Sequence, residues 1–403
     1  MQKQIYLVVT PFFPSPESWR GAYCYDFVNA LMKSEKYDVR VFVPGSGSDY
    51  DYQGVHVVRF KVKMLPSAVL PFLFSKWNQR SFLEKLREAK IDICNIAVCH
   101  GHSAFLGIYP LAVKKLNQSC LTLLHHHDLG SFGLNIGRLR HIWLFKAIQY
   151  FLLRRVHEQM DVHVFISKKV RQSFLSVPNA QWTTYVDYLR QMRGLRWLRG
   201  PKIKGSLVLY NGVDTAQFHT LASEKSKGSF VIGCVANFNE GKDQITLLRA
   251  VALLRDEFPE IQLRFMGSGE DLKRCQAFAK RERLNAEFLT EVDHGELPRF
   301  YYGLDLFVLP SYWDGFGCVF TEAWHCGVPF IACDSIGIAE LIPEKERKQW
   351  LFRQQDVNGL ADCIRNYFIH RPQQCLLVQT DEVSLVDDFV KEIDKRISDL
   401  KSS

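Results

Sequence analysis

The chain has 403 residues, 47% of them hydrophobic and 23% charged, a globular composition that excludes a disordered or fibrous protein and leaves room for two domains. No run of about 18 apolar residues occurs, so we expect no membrane-spanning helix. The net charge is +8, but residues 1–215 carry 29 Lys and Arg against 14 Asp and Glu, a balance of +15, while the rest carries −7. The basic half favours an anionic partner.

Apolar runs alternate with helical spacing along the first half of the chain. The first run lacks the long apolar core and cleavage site of a signal peptide, so we expect a cytoplasmic protein. Helical spacing follows this run at Ala22–Lys33. Alternating strands and helices predict a parallel sheet covered on both faces. The predicted strands are Ile5–Val9, Val39–Val43, Val55–Phe60, Ile91–Ala97, Cys120–Leu124 and Val162–Ile166.

The second half repeats this alternation, which predicts a second doubly wound domain. Helical patterns occupy Gln244–Phe258, Asp271–Arg283 and the tail Ser384–Leu400. The expected division is an N-terminal domain 1–210, a C-terminal domain 211–380 and a C-terminal helix 381–403 that can return to the first domain. Two such domains facing each other place the chemistry on loops at the carboxyl ends of strands, in an interdomain cleft. The predicted strands are Phe230–Ala236, Ile261–Met266, Ala286–Leu289, Leu306–Leu309 and Pro329–Ala332.

Cysteines and histidines give no expected metal site. The eleven cysteines form no Cys-x-x-Cys pair, so we expect reduced, buried thiols. Three adjacent histidines, His125 to His127, leave a metal as an alternative, but adjacent side chains on a strand point to opposite faces and do not converge easily. His100 and His102 follow the predicted strand Ile91–Ala97, and either an acceptor-side or a surface-loop role fits them.

The stretch after the strand Leu306–Leu309 carries the most chemistry. Gly315 and Gly317 flank Phe316 immediately before a helical pattern. A Gly-rich turn that opens a helix presents free N–H groups to a phosphate. Asp314 and Glu322 are separated by seven residues, and such carboxylates can accept hydrogen bonds from sugar or ribose hydroxyls.

This stretch resembles the family-4 retaining glycosyltransferases (glycosyl transferases group 1) of GT-B architecture, whose signature is an acidic residue, seven others and a Glu, with Gly-Phe-Gly between them. Four further segments resemble the family's motifs in the expected order. They are Tyr210–Asp214, Val231–Asp243, Met266–Gly269 and Asp334–Glu340. The resemblance implies a GT-B fold with two facing Rossmann-like domains.

The resemblance implies donor-binding residues in the C-terminal domain. Glu322 would hold the ribose hydroxyls, and Asp314 with the backbone of Gly315, Phe316 and Gly317 would contact the sugar and the diphosphate. Lys242 would neutralise the leaving diphosphate. The remaining implied donor contacts are Asn237, which stands where many members have Arg, Gly267 and Gly269 of the Gly-x-Gly turn, and Val292 beside the base. Asp314 itself stands where Glu is usual.

The N-terminal half resembles the family over shorter stretches. Gly21 follows the first strand and would contact the sugar diphosphate, and Arg20 could supply the cation that Asn237 does not. His127, with Asp128 next to it, matches the family's histidine that faces the reacting sugar. The implied catalytic residues are therefore His127, Asp128, Lys242 and Asp314.

The resemblance implies retaining transfer of a sugar from a nucleotide diphosphate sugar to a hydroxyl of a glycan or lipid-linked acceptor, in surface polysaccharide or glycolipid synthesis. No cofactor and no metal requirement are expected. Two other interpretations remain open: a soluble GT-B transferase with a small-molecule acceptor, and a non-catalytic GT-B scaffold on an anionic surface. The chain has no helix-turn-helix, RNP or zinc-finger signature, so we expect no nucleic-acid partner.

Three basic, aromatic-bearing segments predict peripheral contact with the inner face of the cell membrane. They are 61–77, 138–155 and 190–199. The second segment could instead be a domain helix, and the third could be a solvated face or could grip an acceptor phosphate.

Overall fold

The computed structural model describes residues 3–18, 20–63, 74–127, 151–175, 200–221, 230–378 and 380–402. The chain divides into two compact units: unit 1 comprises Met1–Asn211 and Glu382–Ser403, and unit 2 comprises Gly212–Asp381. Asp128 and the basic segment 190–199 lie outside the described residues, as do most of the segments 61–77 and 138–155.

Unit 1 contains an eight-stranded sheet in the order β3-β4-β2-β1-β5-β6-β7-β8. All its strand pairs are parallel except the pair of β3 with β4 at one edge. The strand order reverses between β1 and β5. The strands are β1 Ile5–Val9, β2 Asp38–Pro44, β3 Tyr50–Tyr52, β4 Val55–Phe60, β5 Ile96–Gly101, β6 Leu121–His126, β7 Val162–Phe165 and β8 Ser206–Val208.

Unit 2 contains a six-stranded sheet in the order β11-β10-β9-β12-β13-β14, with every pair parallel. Its strands are β9 Phe230–Val235, β10 Ile261–Met266, β11 Ala286–Leu289, β12 Leu306–Leu309, β13 Phe330–Cys333 and β14 Leu351–Phe352. Two mainly parallel sheets with intervening helices confirm the α/β class that the alternating pattern predicts.

Eleven α-helices are numbered in chain order among the described residues. They are α1 Ala22–Lys33, α2 Ser75–Glu88, α3 Ile108–Leu116, α4 Lys168–Leu175, α5 Gln244–Leu254, α6 Leu272–Arg281, α7 Leu297–Tyr302, α8 Cys318–His325, α9 Arg347–Trp350, α10 Val357–His370 and α11 Glu382–Ser402. No helix in this part of the chain is long and apolar enough to cross a membrane.

Side chains alternate between the two faces of the unit 1 sheet along its strands, and apolar side chains are buried on both faces. On β1, Tyr6 and Val8 pack on one face with α1 and α11, whereas Leu7 and Val9 pack on the other face with α2 and α3. The apolar stripe of α11 seats the C-terminal helix on unit 1. Its buried residues are Val386, Phe389, Val390, Ile393 and Ile397.

The predicted strand Ile91–Ala97 is wrong in its bounds. Residues Ile93–Asn95 form a 3-10 turn, because the side chain of Asp92 accepts a 2.9 Å hydrogen bond from the backbone N–H of Cys94 and favours a turn over extended backbone. The strand β5 therefore begins at Ile96 and runs to Gly101. This shift places His100 inside a strand instead of after one.

The described histidines of β6 are also strand residues, since β6 extends to His126. The eleven cysteines all lie within described ranges, and none forms a disulfide. Eight of them are buried, and burial raises the pKa of several, among them Cys24 to about 12. The thiols whose pKa is raised in this way are protonated at neutral pH.

Candidate functional site

The strand order of unit 2 reverses between β9 and β12, which are paired neighbours. Loops that follow two such strands open side by side at the carboxyl edge of the sheet, where ligands of doubly wound domains bind. The loop after β9 contains Lys242 and the loop after β12 contains Asp314. The two loops are joined by hydrogen bonds from the N–H of Tyr312 (3.1 Å) and the hydroxyl of Ser311 (3.2 Å) to the carbonyl of Gly241.

Lys242 and Asp314 form an ion pair across this edge. Their side chains are 25% and 21% exposed, so both charges are reachable from solvent. An ammonium group has three N–H donors, and pairing with one carboxylate leaves it able to bind a phosphate oxygen. The pair thus places a cation and a carboxylate next to each other at the switch point.

The loop after Asp314 leads directly into α8. Gly317 is the N-cap of this helix, and the carbonyl of Phe316 accepts a 3.1 Å hydrogen bond from the N–H of Ile338. That bond ties the loop to the 3-10 turn Gly337–Leu341, which follows β13. The N-terminus of α8 gives this edge the positive end of a helix dipole, which suits an anion.

Glu322 lies in the second turn of α8 and is 6% exposed. One carboxylate oxygen accepts a 2.8 Å hydrogen bond from the hydroxyl of Tyr301, and the other lies 3.2 Å from Nε2 of His294. Burial and the neighbouring Glu322 raise the pKa of Tyr301 well above its usual value, so its hydroxyl stays protonated and donates. These two contacts fix the direction of the carboxylate.

Tyr301 and His294 are not predicted from the sequence. Tyr301 lies in α7, and His294 lies in the 3-10 turn before it. Both are far from Glu322 in the sequence, so no helical spacing predicts their contacts with it. A tyrosine and a histidine about 20 to 30 residues before a motif glutamate are too common to serve as a sequence signal.

The turn of Gly267 and Gly269 after β10 packs against the loop after β9. Both residues have positive φ, 141° and 143°. A Cβ atom would lie 2.1 Å from the carbonyl oxygen of Ala236 at the first position and 2.2 Å from that of Phe238 at the second. This close approach requires glycine. It brings the turn next to Asn237, an exposed residue whose carbonyl accepts from the side chain of Gln244.

The fold also shows where the other predicted residues of unit 2 lie. Gly315 and Phe316 are buried in the loop before α8, and Val292 is 37% exposed in the segment after β11. Unit 2 therefore brings Lys242, Asp314 and the N-terminus of α8 together, with Glu322 behind them in the same helix.

Unit 1 holds the remaining predicted residues. Gly21 is the N-cap of α1, after β1, and the guanidinium of exposed Arg20 lies 3.6 Å from the ring centroid of Phe12. His127 follows β6, where its Nε2 lies 3.2 Å from Nδ1 of His102 and its ring lies 4.6 Å from that of Tyr23.

Two family comparisons cover most of the chain. Residues 218–375 match the family described as glycosyl transferases group 1, and residues 21–184 match the family described as glycosyltransferase family 4. The chain belongs to the group 1 and family 4 glycosyltransferases. This assignment confirms the predicted family and enzyme class, and it argues against the non-catalytic scaffold.

Relatives of this glycosyltransferase include two bacterial enzymes. The chain is 24% identical to a GDP-mannose-dependent alpha-(1-6)-phosphatidylinositol monomannoside mannosyltransferase of Mycolicibacterium smegmatis, over 83% of this chain and 82% of that protein. It is 24% identical to the protein of the same name from Mycobacterium tuberculosis, over 91% of this chain and 89% of that protein.

Solved structures share the fold of the glycosyltransferase. Sucrose-phosphate synthase from Thermosynechococcus elongatus superposes with a TM-score of 0.65 at 17% identity, covering 99% and 98% of the two chains. Anabaena HepE in complex with UDP superposes with a TM-score of 0.68 at 15% identity, covering 97% and 100%. The GT-B architecture predicted from the sequence is confirmed.

Proposed function

We propose that this glycosyltransferase moves a sugar, with retention of its anomeric configuration, from a nucleotide diphosphate sugar to a hydroxyl of a glycan or lipid-linked acceptor, in surface polysaccharide or glycolipid synthesis. The observation that carries the proposal is the Lys242–Asp314 pair at the switch point of unit 2, beside the N-terminus of α8. The relatives named for mannosyl transfer to phosphatidylinositol mannosides make GDP-mannose the first donor to test.

The proposed donor site uses one group for each part of the donor. Glu322, oriented by Tyr301 and His294, accepts hydrogen bonds from the ribose hydroxyls. Lys242 and the N–H groups at the start of α8 bind the diphosphate, and their positive charge stabilises the leaving group as the glycosidic bond breaks.

The remaining predicted residues have supporting roles in the proposal. Asp314 accepts from hydroxyls of the transferred sugar, and His127 with Asp128 faces the reacting sugar from unit 1. Gly21 and Arg20 contact the diphosphate, and Asn237, Gly267, Gly269 and Val292 line the donor. A leaving diphosphate oxygen takes the proton of the acceptor hydroxyl as the new bond forms on the same face. Lys242 and the helix N-terminus carry the charge compensation, so transfer needs no divalent metal.

The first experiment is a donor panel. Wild type, Glu322→Ala and the exposed control Glu344→Gln are mixed with UDP-, GDP- and ADP-sugars, and thermal stabilisation and donor hydrolysis are measured. A ligand that binds only the folded state raises its melting temperature. One nucleotide class should stabilise the wild type and the control but not Glu322→Ala. If no nucleotide sugar or nucleoside diphosphate stabilises or turns over, the donor site is misassigned.

Retention is tested on the product. With an α-linked nucleotide sugar, the new glycosidic bond should be α, as read from the one-bond coupling between C1 and H1 in NMR of the early product. A β-linked product would exclude the same-face mechanism while leaving the donor assignment intact.

The proposed acceptor side includes an anionic membrane surface at the inner face of the cell membrane. The +15 balance of residues 1–215 supports it, and so do the described ends of the segment 61–77. Nζ of Lys63 lies 4.5 Å from the ring centroid of Trp77, which is 37% exposed. A cation beside an exposed tryptophan suits the headgroup layer.

Cosedimentation with vesicles tests this surface. Binding should require an anionic lipid such as phosphatidylinositol, weaken with salt, and decrease in Trp77→Ala but not in the unit 2 control Lys273→Gln. Equal binding to neutral and anionic vesicles would show that the basic charge does not direct the protein to the membrane, and binding to neither would favour a soluble enzyme with a small-molecule acceptor.

A further inference from the structure

We propose that unit 1 contains a transition-metal site formed by His100, His102 and His125. One imidazole nitrogen from each of the three residues lies within 4.8 Å of the other two. The site lies in the core of unit 1, at the carboxyl ends of β5 and β6. None of its three ligands is assigned to the donor or to transfer. His102 does contact the proposed catalytic residue His127 at 3.2 Å, so the test measures metal binding and not turnover.

The parallel pairing of β5 with β6 creates this cluster. His100 is opposite Leu123 in the register, so two residues further along His102 comes opposite His125. Side chains two apart on a strand share a face, which places all three imidazoles on the same side of the sheet. His126 points to the opposite face and contacts His163, as the alternation of side chains along a strand predicts. That alternation does not prevent His125 from meeting histidines of the neighbouring strand β5.

The three imidazoles are buried with nitrogen atoms that lack partners. The side chains of His100, His102 and His125 are 0%, 1% and 2% exposed. Within the part of the chain that the structure describes, no hydrogen-bond partner reaches Nε2 of His100, Nε2 of His102 or either ring nitrogen of His125. Buried polar atoms are rarely left unsatisfied, and a metal ion accepts lone pairs from several such atoms at once.

The protonation state of the cluster suits a metal. Burial, followed by the neighbouring imidazoles, lowers the pKa of all three histidines well below the usual value. They are therefore neutral at physiological pH, and neutral imidazole is the form that binds metals.

The surroundings of the cluster add two polar groups. The hydroxyl of Tyr6 lies 2.8 Å from Nδ1 of His100, which leaves Nε2 of that ring for the metal, as outer partners do in known sites. The thiol of Cys24 lies 3.7 Å from Nδ1 of His102. The Sγ atom of Cys24 is not in the set of mutually close ligand atoms, so this thiol is an outer partner of His102 and not a fourth ligand.

The donor set indicates which ion the site takes. Imidazole ligands suit Zn²⁺ and its analogue Co²⁺, whereas Mg²⁺ and Ca²⁺ prefer oxygen. Zn–N bonds of about 2.0–2.1 Å in a tetrahedral site require the nitrogens to approach more closely than 4.8 Å, by small rotations of the rings on binding.

The test uses the full chain without a polyhistidine tag, stripped with a chelator and titrated with Zn²⁺ or Co²⁺. We expect about one equivalent per chain, a visible Co²⁺ spectrum of tetrahedral type and a raised melting temperature with Zn²⁺. His102→Asn and His125→Gln should each lower the affinity by roughly tenfold or more, and Tyr6→Phe by roughly tenfold. The matched control His56→Asn alters an exposed histidine of the same unit and should bind like the wild type.

Fewer than about 0.1 equivalents bound to the wild type would overturn the proposal, as would unchanged affinity in both His102→Asn and His125→Gln. If these variants do not fold, X-ray absorption of the wild type with Zn²⁺ decides. A shell of imidazole nitrogens at about 2.0–2.1 Å supports the site, whereas a shell of oxygen atoms alone overturns it.

Discussion

Lys242 is the described side chain whose charge is expected to matter most for transfer. Because its proposed role is to stabilise charge that develops on the leaving diphosphate, Lys242→Ala should lower kcat by roughly 10²–10³-fold. The melting temperature should change little, since partly exposed ion pairs contribute about 0–1 kcal/mol. Steady-state kinetics with the donor found in the panel measure the effect. The exposed lysine variant Lys273→Ala is the control, and a loss of less than threefold in Lys242→Ala would remove Lys242 from the mechanism.

Tyr301 gives a second prediction for a single residue. Tyr301→Phe removes the hydroxyl that donates to Glu322 at 2.8 Å and leaves a buried carboxylate with one donor fewer. We expect a loss of about 1–3 kcal/mol in the free energy of unfolding and a raised KM for the donor, with a smaller change in kcat. Tyr302→Phe, at the half-exposed neighbouring position, should match the wild type in both. A lower kcat with unchanged KM would mean that Tyr301 does not act through donor binding.

The turn after β10 should depend on Gly269 for its place against the loop after β9. Gly269→Ala puts a Cβ 2.2 Å from the carbonyl oxygen of Phe238 and forces a positive φ on alanine, so the turn must move away. The strain should cost about 1–3 kcal/mol, and stabilisation by the nucleotide should be lost. Thermal melts with and without nucleotide measure both effects. Gly295→Ala, where an added Cβ meets no atom within 4 Å, is the control and should behave like the wild type.

Elements with one dominant signal could be predicted from the sequence. The strands β4, β10 and β12 have the predicted bounds. The strand β12 is an apolar run buried at every position, whereas β4 and β10 alternate buried apolar residues with more exposed polar ones such as His56 and Gln262, and both patterns are typical of strands. The edge strand β3, with its sequence Tyr-Asp-Tyr, shows no such run and was not predicted. The predicted bounds of β5 are wrong because the hydrogen bond that the side chain of Asp92 accepts from the N–H of Cys94 outweighs the apolar pattern.

The candidate site could be predicted only in part, because some of its contacts join residues that are distant in the sequence. Lys242 and Asp314 belong to motifs that are local in the sequence, and the switch point of the sheet then brings their loops together. The contacts of Tyr301 and His294 with Glu322, and the meeting of His100 with His125, depend on which strands and helices become neighbours. Residue types and spacing do not predict which elements become neighbours.

The two units should respond differently to acid. In unit 1, burial lowers the pKa of His157 to about 3 and that of His163 to about 4, and both rings pack against His126 and Phe174. Since the unfolded chain takes up protons near pH 6.5 and the folded unit does not, stability falls as pH decreases from about 6.5 towards 4. His163 alone accounts for a loss of up to about 3 kcal/mol.

In unit 2, burial raises the pKa of Asp243 to about 6, so acid changes the contribution of this residue to stability in the opposite direction. The folded unit holds this proton above the unfolded pKa, so the contribution to stability is present at acid pH and is lost as pH rises from about 4 to 6. Lowering the pH from 7 to 5 should therefore destabilise unit 1 while Asp243 partly protects unit 2. Hydrogen exchange followed by peptide mass analysis should show β6 and β7 opening before β9 and β12.

Variants separate the two contributions. His163→Gln should lower stability at pH 7, because Gln replaces the hydrogen bonds of His163 imperfectly, but it should flatten the loss between pH 6.5 and 5. Asp243→Asn should stabilise unit 2 at pH 7 and not at pH 4, where the aspartate is already protonated, and Asn suits the left-handed backbone of this position. If unit 2 opened first in acid, or if His163→Gln kept the wild-type slope, the buried histidines would not control the acid response.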